Sequence, residues 1–98
     1  MKFMVIVRTK DSFYDLPPAK QKELMDATAQ NTEKLTKEGK LKEMYVLGNM
    51  KGSMVIFDLN SSEDLVRIAY EFPLFPFTDA KITPLVDVDV VRKVQAKK

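Results

Sequence analysis

Four short apolar segments, rich in β-branched and aromatic residues, predict β-strands. In the first of them Phe3, Val5 and Val7 alternate with residues of the opposite face. The four predicted strands are residues 2–8, 41–47, 53–59 and 80–91. Residues 48–52 contain two glycines and an asparagine, so they predict a hairpin loop between the second and third strands. Pro84 has no backbone N–H, and the last strand is therefore expected at an edge of the sheet.

Two longer segments predict helices. Residues 18–37 begin with a proline, contain no glycine and consist mostly of good helix formers, and Gly39 follows as a stop signal. A second helix is expected after Ser61 or Ser62, either of which can cap it, and before Pro73, which ends it. The inward faces of the two helices are Leu24, Thr28, Asn31 and Leu35, and Leu65, Ile68, Ala69 and Phe72.

The resulting order βαββαβ is the ferredoxin-like arrangement of an α+β domain, here one domain over residues 1–98. It predicts a four-stranded antiparallel sheet with both helices on one face. In the predicted hairpin pairing, the open face carries Met4, Ile6, Met44, Val46, Met54 and Ile56, whereas Tyr45, Leu47, Val55 and Phe57 lie toward the helices. An apolar open face needs a cover. We therefore expect a homodimer, packed sheet on sheet about a two-fold axis.

Composition excludes several classes of function. The charges are scattered and sum to only +2, so no nucleic-acid partner is expected. The chain has no cysteine and no histidine, which removes Cys nucleophiles, Cys-ligated metals, the commonest general base and His-ligated haem. No apolar run approaches membrane-spanning length and no signal peptide opens the chain, so we expect a cytoplasmic protein with no membrane partner. The basic residues Arg92, Lys93, Lys97 and Lys98 are expected to form a solvated tail.

The segment EFPLFPFTD, residues 71–79, is unusual because two prolines and four large apolar side chains stand together after a helix. The longer stretch PLFPFTDAKITPL resembles the signature near the C-terminus of the muconolactone isomerase family. Weaker similarities span nearly the whole chain: the MKF start, Pro-Ala-Lys at 18–20, Glu-Gly at 38–39 and Phe57-Asp58. The resemblance implies a dimeric α+β barrel, with a homodimer as the building block of larger homo-oligomers. It also implies a proton shift in an unsaturated lactone, with no metal or organic cofactor.

The two prolines restrict the backbone of residues 71–79 at low entropic cost, so this loop can hold Leu74, Phe75 and Phe77 in one arrangement. In the family fold, these side chains would cap the end of the barrel, where they would line a cleft or touch a neighbouring subunit. The alternative is that they fill the protein's own core beneath the second helix.

The residues that the family uses for chemistry are not matched. The family's isomerases carry acidic residues midway along the first helix, where this chain has Ala27, Thr28, Ala29 and Gln30. They also carry basic and aromatic residues on the second strand and its hairpin, where this chain has Lys42, Glu43, Tyr45, Val46 and Met50. Because a proton shift between carbons needs a base, the sequence predicts no muconolactone isomerisation as such.

Glu43 and Tyr45 offer a replacement, since residues two apart on a strand share a face, and the predicted pairing turns that face toward the helices. We predict a small cleft in which Glu43 is a catalytic base and Tyr45 a phenol donor. The expected ligand-binding residues around them are Thr28, Asn31, Phe57 and Phe75. The alternative is that Glu43 is solvated at the sheet edge and that Tyr45 is a core residue with its hydroxyl in water.

Three classes of function follow. The first is a cofactor-independent enzyme that acts on a small organic acid or lactone. The second is a non-catalytic protein that binds a small organic molecule or serves as an oligomeric scaffold. The third, RNA binding through the open face of the sheet, is the least supported, because it needs exposed aromatic residues and the predicted face is aliphatic and methionine-rich.

Overall fold

The computed structural model describes residues 1–97. The strands are β1 (Lys2–Thr9), β2 (Leu41–Val46), β3 (Gly52–Asp58) and β4 (Thr78–Leu85), and the helices are α1 (Asp11–Tyr14), α2 (Pro18–Lys37), α3 (Ser62–Glu71) and α4 (Val88–Ala96). A 3₁₀ turn, Phe75–Phe77, precedes β4. Within residues 1–97, no helix is both long enough and apolar enough to span a membrane.

The four strands form one antiparallel sheet in the order β2-β3-β1-β4. This order, with α2 and α3 as the two crossovers, confirms the predicted ferredoxin-like α+β fold. Pro84 lies on β4 opposite Phe3 of β1, and β4 is an edge strand as predicted. Because the outer side of an edge strand has no partner strand, the missing N–H of Pro84 removes no hydrogen bond there.

Both long helices begin and end at the residues that the sequence indicates. Pro18 occupies the first turn of α2, and Gly39 follows the helix with a φ of 75°, a conformation that glycine adopts without steric strain. At the start of α3, the Ser61 hydroxyl accepts a hydrogen bond of 3.3 Å from the backbone N–H of Asp64. Pro73 follows closely after the end of α3.

The last predicted strand, residues 80–91, is correct only in its first half. β4 ends at Leu85, and the chain then forms α4 from Val88. Residues 86–90 alternate apolar and acidic side chains, which favours a strand, but Val88, Val91 and Val94 also repeat at helical spacing. Of the predicted solvated tail, Arg92, Lys93 and Lys97 are exposed as expected, but Arg92 and Lys93 belong to this helix; Lys98 lies outside the described residues.

The β2–β3 hairpin has a different register from the predicted one. A four-residue turn, 48–51, places Met44 opposite Val55 and Tyr45 opposite Met54, and the Leu47 N–H donates to the carbonyl of Gly52 at 2.9 Å. Because side chains alternate along a strand, this shift by one residue moves every side chain of the strand to the other face. A further irregularity between Leu41 and Glu43 then returns Leu41 to the helix side, opposite Phe57.

The two faces of the sheet are therefore only partly as predicted. Met4, Ile6, Met54 and Ile56 do lie on the open face, because the β1–β3 register pairs Met4 with Ile56 and Ile6 with Met54. The placement of Met44 and Val46 on that face was wrong, since both lie toward the helices. Tyr45 takes their place on the open face.

The hydrophobic core lies at the end of the sheet where β1 and β2 begin. Its buried members are Phe3, Val5, Leu35, Leu41, Val55, Phe57, Leu59 and Ile68. At the opposite end, where β1 and β2 finish and β3 and β4 begin, α2 contributes only half-buried or exposed residues. The space between the helices and the sheet is therefore filled at one end and open at the other.

Candidate small-molecule site

A cavity of about 920 Å³ lies between α2 and α3 on one side and the sheet on the other. Its closed end rests on the core residues Leu35, Leu41 and Phe57. The inner faces of β1 and β3 form its floor, and the segment after α3 forms one side wall. A cavity of this size, with mostly apolar walls, has the dimensions of a small-molecule site.

The mouth of the cavity is at the open end of the sheet. Its rim, which we call the mouth rim, consists of Tyr14, Met25, Met44, Val46 and Met50. All five side chains are exposed, from 42% for Met44 to 76% for Met50. Five large apolar residues around one opening form a patch that monomeric soluble proteins rarely leave uncovered.

The polar groups deeper in the wall are uncharged. Thr28 and Asn31 lie one turn apart on α2, followed by Thr32, and Ser53 faces them from β3. The Thr28 hydroxyl donates to the Leu24 carbonyl at 2.8 Å, so its oxygen is left free to accept a hydrogen bond. The Asn31 amide supplies both donors and an acceptor. This wall can bind a carbonyl or hydroxyl group, but it has no charge to offer to an ion.

The charged residues that contact the cavity are near its mouth. Lys22 pairs with Asp26 on the same helix, 3.0 Å between the nitrogen and the carboxylate oxygen, and both side chains are exposed. Asp79 is paired with Lys10 at 3.7 Å, and the β1–β4 register places Asp79 opposite Arg8, on the open face of the sheet. Lys22 is therefore the cation that a ligand in the mouth would meet, and Asp79 is directed away from the interior.

The predicted ligand-binding residues Thr28, Asn31, Phe57 and Phe75 all line the cavity. The prediction that Glu43 and Tyr45 face the same space was wrong. The hairpin register turns both side chains to the open face, where the Tyr45 hydroxyl donates to a Glu43 carboxylate oxygen at 3.4 Å and both remain exposed. Their neighbours Met44 and Val46 face the cavity instead, so β2 contributes apolar surface in place of an acid–base pair.

The aromatic loop after α3 both lines the cavity and fills part of the protein's own core, which were the two alternatives for it. Leu74 is buried and closes the protein's own interior, whereas Phe75 lines the cavity and packs on Tyr70, with ring centroids 5.1 Å apart. Phe77 stands edge-on to Phe13 at a centroid distance of 6.4 Å. The loop is therefore anchored by Leu74 and Phe77 while Phe75 is presented to the cavity.

The sequence predicted none of the five mouth-rim residues as part of the site. Tyr14 lies on α1, a helix of only four residues that carries no strong pattern in the sequence. Met44 and Val46 were missed because of the hairpin register. Met25 could have been found, since it lies one turn before Thr28 on the same face of α2.

These features define an α+β protein of ferredoxin-like topology with an apolar cavity between its helices and its sheet. Residues 1–89 match the model of the muconolactone delta-isomerase family, and the chain belongs to that family, which confirms the resemblance seen in the sequence. The muconolactone Delta-isomerase of Rhodococcus opacus is 30% identical over 71 residues, which cover 72% of this chain and 76% of that protein.

Two further proteins are similar. The muconolactone Delta-isomerase of Cupriavidus pinatubonensis is 28% identical over 72 residues, covering 74% of this chain and 78% of that protein. A crystal structure of muconolactone isomerase superposes with a TM-score of 0.78 and 26% identity, covering 89% of this chain and 90% of the other. The family match ends at residue 89, so almost all of α4 lies beyond it.

Proposed function

We propose that this protein binds a small, largely apolar organic molecule of the lactone or organic-acid class in the helix–sheet cavity. The observation that carries the proposal is the cavity itself, about 920 Å³ with apolar walls and a few uncharged polar groups. Small-molecule sites commonly have this make-up, because apolar walls supply affinity and a few polar groups fix the orientation.

The placement of the polar groups suggests how such a ligand would lie. Its ring would occupy the interior against Phe57 and Phe75, and a ring carbonyl would accept a hydrogen bond from the Asn31 amide. A carboxylate on the ligand would remain at the mouth near Lys22, since burying it among neutral groups costs several kcal/mol. Membership of the muconolactone delta-isomerase family supports the lactone class.

A test of this site is the binding of lactones to the Asn31→Ala variant. Titration calorimetry with an unsaturated γ-lactone should give an affinity about fivefold to tenfold weaker than for the wild type, because a net hydrogen bond is worth roughly 1 kcal/mol. Gln30→Ala is the matched control, since Gln30 is the adjacent exposed residue of α2 and does not line this cavity. Equal affinities for the two variants, or no lactone binding by the wild type, would contradict the proposal.

A second candidate is a cofactor-independent enzyme that acts on the same class of molecule, and family membership favours it. The side chains available for proton transfer at the mouth are Tyr14 and Lys22. Glu43 and Tyr45 are not part of this candidate, because they reach only the open face of the sheet. Binding remains the better supported function, since the deep wall offers no group that could act as a base at neutral pH.

The open face of the sheet supports a homo-oligomer built from a sheet-on-sheet dimer. Met4, Ile6, Met54 and Ile56 form an apolar strip across β1 and β3, and all four are only partly buried in the single chain. A second copy related by a two-fold axis would cover this strip with the same residues. Glu43 and Tyr45 would lie at the margin of that interface. A cytoplasmic location remains a prediction of the sequence.

A further inference from the structure

Three polar side chains of the cavity wall have their hydrogen-bond donors occupied by the chain's own backbone. They are Gln21 and Thr28 on α2 and Thr78 at the start of β4, and all three are half-buried and line the cavity. A side chain whose donors are already used offers a ligand only the lone pairs of its oxygen. The direction of these hydrogen bonds therefore restricts the kind of ligand that the cavity accepts.

The two threonine hydroxyls are bound to carbonyl groups four residues earlier in the chain. Thr28 donates to the Leu24 carbonyl at 2.8 Å, and Thr78 donates to the Leu74 carbonyl at 3.1 Å. A hydroxyl has one hydrogen, so each oxygen keeps its acceptor capacity but has no further donor. Thr28 belongs to the α2 wall, whereas Thr78 lies opposite Thr9 on the helix side of the sheet. The cavity therefore has an acceptor on each of two facing walls.

Gln21 is oriented by the backbone in the same way, nearer the mouth. Its side-chain amide nitrogen donates to the Leu16 carbonyl at 2.8 Å and to the Tyr14 carbonyl at 3.3 Å. These bonds use both hydrogens of the amide, and the inverted amide would place its oxygen against two carbonyl oxygens. The amide oxygen of Gln21 is therefore a third acceptor of the cavity wall.

Asn31 is the donor that lies beside these acceptors. It follows Thr28 by three residues on α2, so the two side chains share a face of the helix, with Cβ atoms about 5–6 Å apart. The Asn31 amide can donate to a ligand oxygen, whereas Thr28 has only an acceptor to offer. A ligand that satisfies both residues needs a carbonyl group and, a few ångströms away on the same framework, a hydroxyl group.

We propose that the cavity selects a ring compound with at least one free hydroxyl group, which donates to the Thr28 oxygen while the ring carbonyl accepts from Asn31. Further hydroxyl groups donate to Thr78 or Gln21. A ligand that has only acceptors would leave these buried oxygens without a hydrogen, and this weakens its binding. The inference deepens the proposed function and rests on it, because it names the substituent by which the same cavity distinguishes among lactones and organic acids.

Three lactones that differ at one position test this selection: phthalide, 6-hydroxyphthalide and 6-methoxyphthalide. All three contain the same fused γ-lactone, and the methoxy compound keeps the added oxygen but has no hydrogen to donate. Titration calorimetry with the wild-type protein should give an affinity for the hydroxy compound about tenfold higher than for either of the others, because only this compound supplies a hydrogen to the buried acceptor.

Variants of α2 assign the preference to one oxygen. Thr28→Val removes the acceptor and keeps the shape of the side chain, so the preference should fall to about twofold or less. Thr28→Ser keeps the oxygen and should keep the preference. Thr36→Val is the matched control, because Thr36 also donates to a carbonyl one turn earlier, that of Thr32 at 2.9 Å, but it is exposed and does not line the cavity. Circular dichroism of each variant checks that it is folded.

The outcomes separate this inference from the proposed function. Equal affinities of the wild type for all three compounds would overturn the selection of a hydroxyl group and would leave lactone binding intact. A tenfold preference that persists in Thr28→Val, or is lost equally in Thr36→Val, would overturn the assignment to Thr28. If none of the three compounds bound, both the inference and the proposed function would be wrong.

Discussion

At the scale of single residues, one glycine allows two strands of the sheet to approach each other closely. Gly52 begins β3 opposite Arg8 of β1, and a side chain at this position would collide with the carbonyl oxygen of Val7. The chain can therefore enter β3 at this point only with glycine. Gly48, four residues earlier in the same hairpin turn, has open space around the position that a Cβ atom would take.

Gly52→Ala should destabilise the protein by about 2 kcal/mol or more, because the backbone of β1 or β3 must move to relieve the collision. For a chain of this size, the melting temperature should then fall by roughly 10 °C. Thermal unfolding followed by circular dichroism measures this change. Gly48→Ala is the control and should stay within about 0.5 kcal/mol of the wild type. Equal melting temperatures for the two variants would show that the sheet tolerates the extra atom.

At the scale of elements, signals within a few residues predicted α2 and α3, but they did not predict how β2 pairs with β3. The ends of α2 and α3 follow from Pro18, Gly39 and the Ser61 cap, all of which act within a few residues along the chain. The hairpin register depends on how many residues the turn uses, and GNMKG does not fix that number. The predicted register placed Tyr45 toward the helices and Met44 on the open face, whereas the observed register reverses the two.

The end of the chain shows a second limit of local reading. The run from Val86 to Val90 satisfies the two-residue period of a strand and also supplies two of the valines of α4. In a strand, these residues would extend β4, but the pairing of β4 with β1 stops at Leu85, opposite Lys2, the first residue of β1, and the Met1 carbonyl already accepts a hydrogen bond from Leu59. Without a partner for its hydrogen bonds, the segment satisfies its own backbone groups as a helix.

At the scale of the whole molecule, the apolar surfaces exposed within residues 1–97 include the strip on the open face of the sheet, the mouth rim and the valines of α4. The strip belongs to β1 and β3, and the rim to α1, α2 and the β2–β3 hairpin. They lie on opposite sides of the sheet, so one copy cannot cover both through a single contact. This arrangement favours an assembly with more than one kind of interface.

Met54→Asp should break the proposed sheet-on-sheet dimer, because it places a charge in the centre of the apolar strip. Size-exclusion chromatography with light scattering at micromolar concentration should show a smaller species for the variant than for the wild type. Ala29→Asp adds the same charge at an exposed position of α2 and should leave the assembly unchanged. A wild-type protein that is monomeric under these conditions would contradict the dimer.

The purified protein should show no substantial muconolactone isomerase activity. The deep wall of the cavity carries Thr28, Asn31 and Thr32, none of which is a base at neutral pH, and the loss of a general base commonly lowers a rate by about 10²- to 10⁴-fold. The measurement is the turnover of muconolactone followed by ultraviolet absorbance, with an authentic isomerase as the positive control. A turnover number of about 1 per second or more would show that another group, such as Tyr14 or Lys22, supplies the proton transfer.

The sequence predicted the order of the four strands with α2 and α3, the ends of those two helices, the edge position of Pro84 and four of the cavity residues. Each of these depends on spacing and on contacts between near neighbours. Three features depend on distant parts of the molecule. They are the face of the sheet that each β2 side chain occupies, the composition of the mouth rim, and the conformation of residues 86–96. The length of the hairpin turn sets the first. The placement of α1, α2 and the hairpin around one cavity creates the second. The start of β1, opposite Leu85, decides the third. Hydrogen bonds and packing between segments far apart in sequence choose among patterns that are locally equivalent.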